Sequence, residues 1–218
     1  MQSNKQKVHT LLKGLETGDP DAALVVNEQV YVQHNPHTQE GNEGLAVLFK
    51  RLAKTEPKVR TVRAFEDDDY VFAHMEYDFS SVKVAFEVFR FENGLAVEHW
   101  DNIQPMQEPN HSGRTMLDGN IELQDLAKTE NNRLRVKEYV EIVLINQKIE
   151  RLADFVCSKE FIQHSPDLAD GIGALRTALL AKSPSGQAKK YVRLHRVLAQ
   201  GNFVLSVSEG SLSGVHSA

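Results

Sequence analysis

Glu98-His99-Trp100-Asp101 sets an imidazole and a carboxylate two residues apart. On an extended strand alternate side chains share a face. Val97, His99, Asp101 and Ile103 therefore stand on one side, and Glu98, Trp100 and Asn102 on the other. Two strand rises separate the backbones of His99 and Asp101 by roughly 6–7 Å, which suits two groups addressing one ligand or water. When burial brings such groups towards working pH, one can remove a proton α to a carbonyl. The other can protonate the oxyanion that forms. Asp101 is the candidate acid/base, with His99 beside it; the bland alternative is a satisfied hydrogen-bond network on a polar strand face.

Other residues could join them. His74, inside the apolar run Tyr70–Met75, is either a partner for Asp101 across a sheet or a core histidine. Glu87 is flanked by Phe86 and Val88, where a carboxylate is costly unless solvated or paired, so it is a candidate to line a pocket. Phe89 and Trp100 are candidate apolar contacts for a ligand, with packing as the alternative for Trp100. His34 either faces a ligand or holds the loop at Asn35-Pro36, and His164 occupies the same place in a second Gln-His-x-Pro motif.

Several chemistries find no support. The glycines make no phosphate-cradling pattern. His34 and His37 are separated by a proline and the lone Cys157 has no pair, so neither a metal nor a cofactor is expected. Lys and Arg number 25 against 30 Asp and Glu, with no basic stripe, which argues against nucleic acid as a partner. The N-terminus lacks a signal-peptide core, and no apolar run nears the roughly 20 residues of a membrane span. A cytoplasmic protein is the expectation.

The elements that must position these residues occur twice. Tyr31-Val-Gln-His-Asn-Pro36 and Phe161-Ile-Gln-His-Ser-Pro166 are offset by 130 (164 minus 34). The same register pairs Ala23 with Ala153, Val26 with Val156, Gly41 with Gly171 and Leu45 with Leu175. A repeat of that length means duplicated domains. In the first copy Val8, Leu11, Leu12 and Leu15 recur at helical spacing, and Gly18-Asp19-Pro20 ends that helix and caps a short one. A short strand is expected over Glu28–His34, then a helix through Leu45, Phe49 and Leu52, then strands near 58–66, 70–80, 82–91 and 95–104. Asn93-Gly94 suits the hairpin turn between the last two. Helices first and antiparallel strands after give an α+β fold.

The second copy has a helix through Leu134 and Val143, a short one at Leu152–Val156, a Phe161–His164 strand and an Ile172–Ala181 helix. Strands near 190–199 and 203–210 follow. Counterparts of the last two strands are missing from it. The expected organisation is a complete domain over 1–107, a linker over 108–120, and a shortened second domain over 121–218.

Gln33-His34-x-Pro36, the Asn93-Gly94 hairpin and Glu98-His-Trp-Asp101 together resemble the SnoaL-like proteins of the nuclear transport factor 2 and ketosteroid isomerase superfamily. The resemblance covers nearly all of the first copy and much of the second. It implies a cystatin-like α+β barrel, with helices packed on a curved antiparallel sheet, here duplicated. It also implies that His34 sits on the strand lining the cavity mouth. Such folds host polyketide cyclases, isomerases and dehydratases, besides binding modules, and they commonly pair through the sheet. The expected function is a cofactor-free acid/base enzyme acting on a small hydrophobic or carbonyl-containing molecule. A non-catalytic binding module or a structural dimerisation module are the alternatives. A homodimer, or a pseudo-dimer of the two copies, is the expected assembly.

Overall fold

A computed structural model describes residues 2–157, 161–181, 190–212 and 215–217. The chain divides into two compact units, one of residues up to 106 with 119–122, the other of 107–118 with 123 onwards.

In the first unit, helix α1 (Asn4–Thr17) starts at a capping box. The Gln6 N–H donates to Ser3 Oγ, and the Ser3 N–H to Gln6 Oε1. The helix ends where Gly18 turns left-handed at φ 73°, a conformation glycine adopts at no steric cost. A 3₁₀ turn (Pro20–Val25) follows, capped by Asp19, whose carboxylate accepts the Asp21 N–H at 3.0 Å. Helix α2 spans Gly41–Leu52. Strands β2 (Lys58–Asp67), β3 (Tyr70–Asp78), β4 (Val82–Glu92) and β5 (Leu95–Pro105) then form antiparallel hairpins close to the expected positions. Asn93 and Gly94 both take positive φ at the last turn.

One expected strand is much shorter than its sequence suggests. Of Glu28–His34 only Val32–Gln33 is extended, as β1, which pairs parallel with β5 at Glu98 and His99. The preceding residues are drawn into turns by side chains that compete with strand pairing. Asn27 Oδ1 accepts the Gln29 N–H, and the Glu28 carboxylate reaches the backbone of Asn42 and Glu43 at the start of α2. The sheet order is β1-β5-β4-β3-β2, a curved sheet that is not closed.

Val8, Leu11 and Leu12 of α1 and Leu45 and Phe49 of α2 bury against Val71, Ala73, Met75, Tyr77, Ala85 and Phe89 of the sheet. Helical period and strand alternation thus meet in one core. Gly14 lets the two helices close: a Cβ there would lie 2.6 Å from the ring of buried Phe49. Gly14→Ala is therefore expected to destabilise by roughly 1–3 kcal/mol through overpacking, although alanine favours a helix by about 1 kcal/mol. Urea unfolding followed by fluorescence of Trp100, the one tryptophan, measures this; an unchanged midpoint would mean the Phe49 ring yields freely.

The second unit has α3 (Thr129–Glu138), a π-helical stretch (Tyr139–Ile145), a 3₁₀ turn (Ile149–Asp154) and α4 (Ile172–Leu180). Val143, Leu152 and Leu175 form its small core. Strands β6 (Lys190–Gln200) and β7 (Phe203–Leu212) pair antiparallel, and β8 (Val215–Ser217) adds to β7. Residues 161–164 are not a strand, contrary to expectation. Phe161 O accepts the Gly171 N–H at 2.8 Å and the Gln163 N–H goes to Asp170 Oδ1, so the chain folds back on itself locally. Residues 107–118 pack within this unit through buried Asn110, which donates to Gln163 O at 2.7 Å. Among the described residues, no helix is long and apolar enough to cross a membrane.

Candidate functional site

A cavity of about 210 Å³ opens in the first unit where α1 and α2 cover the inner face of the sheet. Its walls are apolar, from Leu11, Leu12, Leu15, Leu45, Leu48 and Phe49, while Tyr31, Gln33, Asn35, Tyr77, Glu87, His99 and Asp101 form a polar end. Register explains the convergence: Glu87 lies opposite Asp101, Phe89 opposite His99, and Gln33 beside His99 across β1. Three neighbouring strands thus present one face to the same space.

Glu87 and His99 are 2 % and 6 % exposed, and every polar atom of the pair is engaged. His99 Nε2 lies 2.7 Å from Glu87 Oε2, and the Tyr77 hydroxyl donates to Glu87 Oε1 at 2.8 Å. On its other side His99 Nδ1 lies 2.8 Å from Gln33 Oε1. The Asn35 N–H donates to that same Gln33 oxygen, which fixes it as an acceptor. Nδ1 therefore carries a hydrogen, and one further proton must lie between Nε2 and Glu87. The pair is neutral overall, which is how a buried carboxylate is accommodated here. The Phe89 ring stacks on the imidazole at 4.2 Å and keeps water from it.

Asp101 lines the same cavity but differs from that pair in being only partly buried. Asn35 Nδ2 donates to its Oδ2 at 2.6 Å. Burial pushes its pKa up and the charge of Glu87 adds to the rise, against the Asn35 hydrogen bond and the nearby imidazoles of His99 and His37. This is a carboxylate made more basic and held at one oxygen only, by Asn35. Beside it, burial and the charges of Glu87 and Asp101 hold the Tyr31 hydroxyl above the ordinary tyrosine range, so it stays protonated. Gln33 Nε2 donates to the Tyr31 oxygen at 3.4 Å. The Tyr31 hydrogen remains available to an oxygen in the cavity.

Asp101, His99, Glu87 and Phe89 are thus brought together, and the four other candidates are not. His34 points away from the cavity: its ring stacks on Trp100 at 4.9 Å, and its Nε2 pairs with Glu98 at 2.9 Å. It sits one residue out of phase with Tyr31, Gln33 and Asn35. Trp100 shares that outer face by strand alternation. His74 also lies there, edge-on to Phe86 and 3.3 Å from Arg63. The sheet itself separates it from Asp101, so it is no acid/base partner across the strands. In the second unit His164 pairs with Asp118 at 2.6 Å and lies 3.1 Å from Thr115 O. Tyr31, Gln33, Asn35, His37 and Tyr77 line the cavity without having been singled out in the sequence. Alternation through Tyr31-x-Gln33-x-Asn35 was the signal available for three of them.

Glu87, His99 and Asp101 offer ligand atoms within 4.8 Å of one another, the group among the described residues that could hold a metal. Both nitrogens of His99 and both oxygens of Glu87 are already spent on hydrogen bonds, which leaves Asp101 as the group free to act. A larger groove of about 520 Å³ runs between α1 and β2. No carboxylate lines it, and its imidazole, His9, lies 3.1 Å from Thr61 Oγ1.

No family model matches the chain, and neither does any curated protein. Solved structures do. TsrD from Streptomyces laurentii is 22 % identical over 45 % of this chain and 86 % of its own, with a TM-score of 0.40. An NTF2-like protein from Cytophaga hutchinsonii is 18 % identical over 48 % and 93 %, also at 0.40. An LEH-like epoxide hydrolase of M. tuberculosis is 16 % identical over 46 % and 82 %, again at 0.40. Each of these structures thus spans about half of the chain, and NTF2-like proteins are among what it is similar to.

Proposed function

We propose that the first unit is a SnoaL-like small-molecule pocket that catalyses cofactor-free acid/base chemistry next to a carbonyl, as a cyclase, isomerase or dehydratase. The observation that carries this reading is one carboxylate, Asp101, made more basic and lining an apolar cavity beside a buried neutral pair. Asp101 removes the α-proton. Tyr31 donates its hydroxyl hydrogen to the carbonyl oxygen as negative charge develops there. Glu87, His99 and Gln33 hold this end of the cavity rigid. Asp101 returns the proton at a different carbon or to a leaving oxygen, which separates isomerisation from dehydration.

The second unit reads as a further copy of the same domain. In support, the Ser165 N–H donates to Gln163 Oε1 just as the Asn35 N–H donates to Gln33 Oε1. A helix follows each motif, and antiparallel strands follow each helix.

A base works only when ionised, so the raised pKa of Asp101 fixes the sign of the pH dependence. Exchange of the α-protons of methyl 4-oxo-4-phenylbutanoate with solvent deuterium, followed by proton NMR, is expected to rise with pH. Its midpoint should lie above the ordinary aspartate value. Catalysed exchange with no such limb would remove Asp101 as the base. Tight binding with no catalysed exchange at any pH would favour a binding pocket without turnover.

A further inference from the structure

We infer that the substrate carries an anionic group, a carboxylate for preference, at the end remote from its reacting carbonyl, and that Arg51 selects it. The inference rests on the pocket reading above and adds the substrate's charge. Of the residues lining the cavity, Arg51, His37 and Ile103 are exposed and so mark its mouth, whereas Tyr31, Glu87 and His99 are buried and mark its end. The cavity is therefore polarised. Glu87 and the Tyr31 hydroxyl lie at the buried end, leucines and Phe49 form the walls, and the Arg51 guanidinium stands at the exposed rim.

Arg51 sits in the last turn of α2, where a cation also suits the helix dipole. Among the described residues it has no ion pair or hydrogen bond, although acidic side chains elsewhere on this unit are paired. Its guanidinium is thus free to take a carboxylate in two parallel hydrogen bonds. An anion would not settle beside Asp101, whose ionised carboxylate already places negative charge there. A carbonyl at Asp101 and Tyr31 with a carboxylate at Arg51 satisfies both ends. At about 210 Å³, below the usual range of ligand pockets, the space admits roughly one ring and a short chain.

The test is titration calorimetry of the full chain with 4-oxo-4-phenylbutanoate and with its methyl ester, at low and high salt. The acid is expected to bind roughly fivefold more tightly than the ester, as a partly exposed ion pair allows, with the gap closing at high salt. Arg51→Gln should abolish the preference and Arg51→Glu reverse it, while the ester binds all three proteins alike. No preference in the wild type, or a preference that survives Arg51→Glu, would overturn the inference and leave the pocket reading standing. Failure of both compounds to bind would overturn the two together.

Discussion

Asp101→Asn is expected to lower the catalysed α-proton exchange of methyl 4-oxo-4-phenylbutanoate by roughly 10²–10⁴-fold, the usual contribution of a positioned general base. Asparagine keeps the size of the side chain and an oxygen for the Asn35 amide, which donates to Asp101 at 2.6 Å. What it removes is the proton acceptor. Affinity for the ester should change little, so the loss appears in the exchange rate and not in binding. Stability should move the other way. Because the folded state raises the pKa of Asp101, it holds this proton more tightly than the unfolded chain does. Stability contributed by the group is therefore lost as pH rises from its ordinary value through the raised one. Asp101→Asn removes that cost, so the variant should be at least as stable as the wild type near neutrality, and lose this advantage in acid. A variant that exchanges the ester at the wild-type rate would show that another group is the base.

The second large effect concerns the buried pair. His99→Phe keeps a ring stacked on Phe89 but leaves Glu87 Oε2 without the partner now 2.7 Å away. Removing one member of a buried charged pair costs about 3–5 kcal/mol, because the other is stranded out of water. Urea unfolding read by Trp100 fluorescence should show a loss of that size for the first unit. Glu87→Leu with His99→Phe should recover most of it, since an apolar pair of similar volume carries no desolvation cost. Tyr77, whose hydroxyl donates to Glu87, then limits the recovery. If His99→Phe alone unfolds within about 1 kcal/mol of wild type, the pair is not the closed, neutral unit described.

How much of this was legible in the sequence differs by element. Strands β2 to β5 follow an alternation that is visible because one face is buried in the core, and Asn93-Gly94 fixes their last turn. The face shared by His99 and Asp101 follows from the same alternation. Glu87 was legible as a carboxylate between apolar neighbours, but its partner was not. That His99 rather than His74 reaches it depends on the register of β4 against β5 and β3, which pairing alone decides. The first motif misled for a related reason. His34 draws the eye as an imidazole, yet the phase of β1 turns Tyr31, Gln33 and Asn35 inward and His34 out to Trp100. A two-residue strand has too little pattern to show its phase. The Phe161–His164 stretch shares that motif's sequence but folds back through Asp170 and Gly171, a local hydrogen-bond choice that apolar spacing cannot express.

The most direct test of the central claim is a crystal structure of the full chain with methyl 4-oxo-4-phenylbutanoate bound. The ketone oxygen should accept a hydrogen bond from the Tyr31 hydroxyl, the α-carbon should face the Asp101 carboxylate, and the phenyl ring should lie among the leucines of α1 and α2. A ligand bound in the groove between α1 and β2, or one whose α-carbon is turned from Asp101, would contradict it.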